Sequence, residues 1–377
     1  MSKHLIVFGT RPEAIKMAPL VTKFAQQTGW DVKVCVTAQH REMLDQVLTF
    51  FEIVPDYDLD LMRPNQNLYS LTAAILEGMK PVLEEFNPDY VYVHGDTTTS
   101  MAVGIAGFYA GAKVCHVEAG LRTFDRKYPF PEEFNRTLTG KIADYHFAPT
   151  ILSQNNLLAE NVAGSHITIT GNTVIDALLY GTDKVNQSDF RDEEVDMLKE
   201  VLDFDKKIIL VTGHRRENHG QGLVQICSAL KQIANAHPET QIVYPVHLNP
   251  NVKGPVHELL QGVDNIKLIK PLAYAAFIWL MEKCYLIITD SGGIQEEAPS
   301  LGKPVLVTRT TTERPEAVDA GTVLLLGTDS EKIVAHCNTL ITDSAAYKRM
   351  SSLHNPYGDG KACERIVTFM KQLENDR

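Results

Sequence analysis

Short apolar runs alternate along the chain with longer amphipathic stretches. Residues 5–8, 32–36, 90–93, 113–117 and 167–169 are rich in Val, Ile or aromatic side chains and end in turn-forming residues, which predicts strands. Residues 14–27 and 40–51 have the spacing of helices. A second series of strands is predicted over 207–211, 241–245, 266–269, 286–289 and 304–307. The stretch 180–206 is polar and charged (Thr182-Asp183-Lys184, Arg191-Asp192-Glu193-Glu194) and reads as a connecting helix and loop near a domain boundary. Near-continuous apolar strands separated by helices imply parallel sheets covered on both faces. The two halves also open alike: Lys3-His4-Leu5-Ile6-Val7-Phe8-Gly9-Thr10-Arg11 resembles Lys206-Lys207-Ile208-Ile209-Leu210-Val211-Thr212-Gly213-His214-Arg215. The predicted class is α/β, with two Rossmann-like domains whose parallel sheets face a central cleft. Open sheets of this kind bind ligands outside the carboxyl ends of their strands.

Composition narrows the function. The chain has 377 residues, enough for roughly two to three domains of about 150 residues. Its 36 Lys+Arg against 47 Asp+Glu give a net charge of -11, which disfavours nucleic-acid binding but not one small anion held by a few local cations. The opening apolar run is too short for a secretory leader, and no stretch reaches the ~18 apolar residues of a membrane span. The six cysteines (Cys35, Cys115, Cys227, Cys284, Cys337, Cys363) are scattered without a CxxC pair, so buried reduced thiols in a cytoplasmic protein are expected, with no metal.

Candidate chemistry lies at the strand ends. Gly9-Thr10-Arg11-Pro12-Glu13-Ala14-Ile15-Lys16 offers a tight turn, a helix start and two cations, which suits an anion or an ordinary turn with a solvated Arg. In His94-Gly95-Asp96-Thr97-Thr98-Thr99, Asp96 serves equally as a helix cap or as an acid–base group. Glu118, in His116-Val117-Glu118-Ala119-Gly120, follows an apolar strand directly, where partial desolvation would raise its pKa. Pro131-Glu132-Glu133 opens a helix, where the dipole alone favours acids. Gly213-His214-Arg215-Arg216 could neutralise a leaving phosphate or be a surface charge cluster. Asp290-Ser291-Gly292-Gly293-Ile294-Gln295-Glu296-Glu297 reads as a diphosphate cradle at a helix start, with Glu297 placed for ribose hydroxyls. It lacks the Walker A pattern, and no strand leads into G-x-G-x-x-G. Arg314 adds a cation at another strand end.

Taken in order, these motifs resemble the non-hydrolysing UDP-N-acetylglucosamine 2-epimerases of bacteria, essentially end to end. The resemblance implies the GT-B arrangement: residues 1–172 as an N-terminal Rossmann-like domain with the acid–base groups, 173–358 as a UDP-binding domain, and 359–377 as a helix returning to the first. It implies interconversion of UDP-GlcNAc and UDP-ManNAc for cell-surface polysaccharide, by elimination of UDP to a 2-acetamidoglucal and re-addition, with no cofactor. Asp96, Glu118 and Glu132 match the family's acid–base carboxylates and His214 its leaving-group partner. Arg11, Lys16, Ser291, Gly292, Gly293, Glu297 and Arg314 match its UDP-binding positions, Phe277 an aromatic near the uracil, and Leu272 a backbone contact. Gln39, Arg215 and His247 correspond to a second, regulatory UDP-GlcNAc site, where Glu42 stands in place of a Gln of some relatives. A homodimer is expected by the same resemblance. A GT-B glycosyltransferase, a hydrolysing epimerase that releases ManNAc and a silent sugar-nucleotide sensor are the competing readings.

Overall fold

The structure is a computed structural model and describes residues 1–38, 41–63 and 66–375. Two compact units divide it: Met1–Ala177 with Tyr357–Arg377, and Leu178–Pro356. In the first unit β1 (Ser2–Phe8), β2 (Trp30–Val36), β3 (Tyr57–Asp58), β4 (Tyr90–His94), β5 (Lys113–Val117), β6 (Tyr145–Ala148) and β7 (Ile167–Ile169) form a sheet in the order β3-β2-β1-β4-β5-β6-β7. In the second, β8 (Lys207–Thr212), β9 (Thr240–Pro245), β10 (Ile266–Ile269), β11 (Leu286–Thr289), β12 (Val305–Val307) and β13 (Val323–Leu325) form the order β10-β9-β8-β11-β12-β13. Every ladder is parallel, for example β1 on β2 from Ser2↔Trp30 to Phe8↔Val36 and β11 on β8 from Leu286↔Ile209 to Thr289↔Thr212. Both sheets are Rossmann-like, with the order reversing beside β1 and beside β8, the switch points at which such sheets bind ligands.

Helices cover both faces because the strands are apolar on both. Leu5, Val7, Val91 and Val93 pack with Ile75, Met79 and Val103 in the first unit. Ile209, Val211, Ile242 and Ile288 pack with Leu230, Ile233 and Ile333 in the second. Three strands lie outside the predicted set: β3, β6 and β13. The stretch 180–206 holds the end of helix Thr173–Val185, which runs through the division between the units, and a separate helix, Glu193–Val201, capped by Asp192. Helix Ala362–Asn375 belongs to the first unit, where Asp176 accepts the Ala362 and Cys363 N–H groups at 3.1 and 2.9 Å. All six cysteines are buried and unpaired. Among the described residues no helix is long and apolar enough to cross a membrane.

Candidate active site

In the first unit, β1 ends in Gly9 and helix Arg11–Ala25 begins under a capping box. The Thr10 side chain accepts Glu13 N–H, and Glu13 Oε2 accepts the Gly9 and Thr10 N–H groups at 3.1 and 2.8 Å. Glu13 Oε1 takes the Thr97 and Ser100 hydroxyls at 2.6 and 3.2 Å, so one buried carboxylate ties the β1 loop to the β4 loop. Burial pushes its pKa up, against these donors. Gly9 is required by close approach: a Cβ there would stand 2.0 Å from Thr37 Oγ1.

The β4 and β5 ends are level, with His94 opposite Val117, and this brings Asp96 and Glu118 together. Helix Thr98–Tyr109 is capped by Thr97, which accepts Ser100 N–H at 3.0 Å. Asp96 is therefore not the cap, and its carboxylate faces Arg136 Nη1 at 3.7 Å instead. Burial raises the Asp96 pKa to about 6; Arg136 and Lys16 oppose the rise, while Glu118 and Glu132 assist it. Glu118 is buried and holds a left-handed backbone (φ 59°), a conformation uncommon outside glycine and found at functional sites. Its Oε2 accepts from Lys16 Nζ and from Asn172 Nδ2 at 2.7 Å, with His94 Nε2 at 3.7 Å. Lys16, expected at the nucleotide, thus has its ammonium on this carboxylate. Burial lowers the His94 pKa to about 4, so the ring is neutral at pH 7.

The two acids that open helix Glu132–Ile142 differ. Glu132 is half-buried, whereas Glu133 is buried, accepts the Thr123 and Phe124 N–H groups at 3.0 and 2.9 Å and pairs with Arg136 at 3.0 Å. Glu133 thus aims Arg136, which in turn faces Asp96. Arg11, the first residue of its helix, is half-buried.

In the second unit the centre is Asp290, directly after β11 and 1% exposed. Its Oδ2 accepts the His214 and Arg215 N–H groups, both at 2.9 Å, and Asn218 Nδ2 at 3.3 Å. The loop after β8 is thereby folded over a carboxylate. The His214 ring lies 3.4 Å from Asp290 Oδ1 and stacks on exposed His247 with centroids 5.6 Å apart. Partial burial lowers the His214 pKa, with Arg215 and His247 adding to this and Asp290 opposing. At helix Gly292–Glu297, a Cβ on Gly292 would lie 3.9 Å from Arg215 Nη2, and one on Gly293 would lie 3.7 Å from Glu297 Oε2 and 3.9 Å from Ser291 Oγ. Ser291, Gly292, Gly293 and Glu297 therefore lie together at the start of this helix, with the Arg215 guanidinium beside Gly292. Arg314 Nε donates to Glu296, which is buried, unlike half-buried Glu297. Arg309 is buried between Glu217 (2.6 Å) and Glu313 (3.2 Å) and fixes the loops beside Arg314. Leu272 is buried and Phe277 half-buried, the latter in helix Tyr274–Lys283. Gln39 lies outside the described residues.

Motif spacing alone did not assign Glu13, Arg136, Asn172 or Asp290. A signal existed for Glu13, three residues after a Thr at a helix start, and for Asp290, one step past an apolar strand. Asn172 and Arg136 act through partners distant in sequence and left none.

These strand-end loops on two doubly wound units define the class, a Rossmann-like α/β protein with buried carboxylates at the strand ends of one unit and a glycine turn beside cations at those of the other. Residues 22–371 match the family described as UDP-N-acetylglucosamine 2-epimerase. A UDP-N-acetylglucosamine 2-epimerase of Yersinia pestis is 62% identical over 370 residues, covering 98% of each chain. The UDP-GlcNAc 2-epimerase of Neisseria meningitidis, solved bound to UDP-GlcNAc, is 49% identical with a TM-score of 0.90 over 98% of this chain and 100% of that one. That of Methanocaldococcus jannaschii, solved with UDP-GlcNAc and UDP, is 32% identical with a TM-score of 0.80 over 99% and 100%. The chain belongs to the UDP-N-acetylglucosamine 2-epimerase family and is an isomerase.

Proposed function

We propose that this enzyme interconverts UDP-GlcNAc and UDP-ManNAc by eliminating UDP and adding it back, and so supplies UDP-ManNAc for cell-surface polysaccharide. The C2 proton has no adjacent carbonyl to acidify it, so direct removal and return is disfavoured. In the elimination the C1–O bond to UDP breaks as the C2 proton leaves, and a C1=C2 double bond forms. On re-addition a UDP oxygen bonds to C1 and a proton reaches C2 from the opposite face. This needs one carboxylate ionised and another protonated at the start.

The observation that carries the reading is the contrast between Asp96 and Glu118. Asp96 is raised to about 6 and suits the proton donor, whereas Glu118 has Lys16 and Asn172 donating to one oxygen and suits the base. Glu132 adds negative charge that helps keep the Asp96 proton. In the second unit Arg215, Arg314, His214 and the Ser291–Gly293 turn would take the diphosphate, and in the first Arg11 adds a cation. Glu297 would take ribose hydroxyls and Phe277 the uracil side. The six buried free thiols support a cytoplasmic setting.

Incubation with UDP-GlcNAc in deuterated water tests this. Deuterium should appear at C2 of both nucleotide sugars. Epimerised product without deuterium would overturn the mechanism, and free ManNAc would mark a hydrolysing enzyme.

A further inference from the structure

We propose that Asn172 is the positioning residue for the Glu118 carboxylate, setting which oxygen is turned to the substrate; this rests on the reading of Glu118 as a base. Asn172 is 2% exposed, and its polar groups have defined partners. Nδ2 donates to Glu118 Oε2 at 2.7 Å, Oδ1 accepts Val174 N–H at 3.1 Å, and the backbone N–H donates to Tyr357 O at 2.7 Å. Because Oδ1 faces an N–H, a flipped amide would put oxygen against the carboxylate and NH2 against a donor, so the orientation is set by chemistry.

The backbone that carries Asn172 is itself held. Gly171 has φ 85°, and a Cβ there would lie 3.2 Å from Tyr357 O and 3.3 Å from Gly358 Cα. The segment returning to the first unit thus packs on the strand-end turn that presents the amide. Lys16 donates to the same Glu118 oxygen, but its long stem can follow the carboxylate into other rotamers. The short, doubly anchored Asn172 cannot. With Oε2 fixed, Oε1 is turned to the β4 loop, 3.5 Å from where a Cβ on Gly95 would stand.

Among the groups facing Glu118 are Lys16 from helix Arg11–Ala25, His94 at the end of β4, Asp96 in the loop after it, and Asn172 before helix Thr173–Val185. Of these Asn172 alone is uncharged at every pH, so Asn172→Ala alters the carboxylate without adding a titration, whereas Asn172→Asp sets a second carboxylate against it. Losing a donor to the ionised form makes that form harder to keep.

The test measures kcat, KM for UDP-GlcNAc and the pH profile of Asn172→Ala and Asn172→Asp, alone and with Glu118→Gln. Asn172→Asp keeps the shape and the acceptor for Val174 N–H, so it serves even if Asn172→Ala fails to fold. Each single variant should lower kcat by about tenfold or more, with KM near wild type and the acid limb of kcat moved to higher pH. In the Glu118→Gln background Asn172→Ala should add less than about twofold, because its partner is already gone. An equal loss in both backgrounds, or an unmoved acid limb, would overturn the assignment. If Glu118→Gln itself epimerises like the wild type, the base reading has failed and this assignment with it. If Glu118→Gln is impaired while both Asn172 variants match the wild type, the positioning role alone has failed.

Discussion

In the first unit burial raises the strand-end acid Asp96 to about 6, whereas in the second the strand-end acid, Asp290, accepts the N–H groups and amide of a folded-over loop. Among the described residues the first unit also buries four histidines, His4, His94, His116 and His146, which burial pushes down to about 4, 4, 3 and 4. The second relies on fixed charge pairs, Arg309 with Glu217 and Glu313 and Arg314 with Glu296. On the proposed function one topology would serve two uses: proton exchange needs a group held near the edge of ionisation, and a seat for a diphosphate needs cations that stay charged.

The largest expected effect sharpens that contrast. Asp96→Asn and Glu118→Gln should each lower kcat by ~10²-fold or more with little change in KM. Asp290→Ala, which frees the 213–218 loop, should instead weaken UDP binding by about tenfold in calorimetry and lower the melting temperature, since the donors to Asp290 lose their acceptor. If Asp290→Ala depressed kcat more than affinity, the division of labour would be broken.

Acid offers a second probe. A histidine lowered in the fold stabilises it above its unfolded pKa of 6.5, and that stability is lost as pH falls toward the folded values near 4. Between pH 6.5 and 4 the first unit should therefore lose hydrogen-exchange protection before the second, after correction for intrinsic rates. Equal loss in both units would erase the distinction. The smallest effect concerns Asp96. Its pKa is raised from 3.8 to about 6, so its stabilising contribution is complete below 3.8 and disappears as pH rises through 6. At pH 8 the ionised group costs stability, and Asp96→Asn should melt ~1–2 °C higher than wild type, a gain that shrinks toward pH 4.

Much of this architecture was legible in the chain because buried parallel strands read as apolar runs. The strands that were not are instructive. β3 pairs over only two residues, Tyr57 and Asp58, too few to set a period. β6 (Tyr-His-Phe-Ala) hides His146, buried as a neutral ring, behind a polar letter. β13 is three residues long and follows a turn at Gly321. At the site, Asp96 and Glu118 stood out because each follows a strand, and the sheet register then set them side by side. The partners of those acids did not stand out. Asn172 is 54 residues from Glu118, and Arg136 lies 40 beyond Asp96, distances over which local pattern carries no information. Nor could spacing tell Glu132 from Glu133 or Glu296 from Glu297, since within each pair only burial separates the two.

The helix Ala362–Asn375 has a consequence for the order in which the molecule is made. Glu374 accepts the Trp30 indole N–H at 2.8 Å, Lys23 pairs with Glu364 at 3.3 Å, and Asp176 waits for the Ala362 and Cys363 N–H groups. A nascent chain that has reached residue 177 therefore lacks the donors that satisfy a buried acid until Leu178–Pro356 has been translated. The portion synthesised first is completed last.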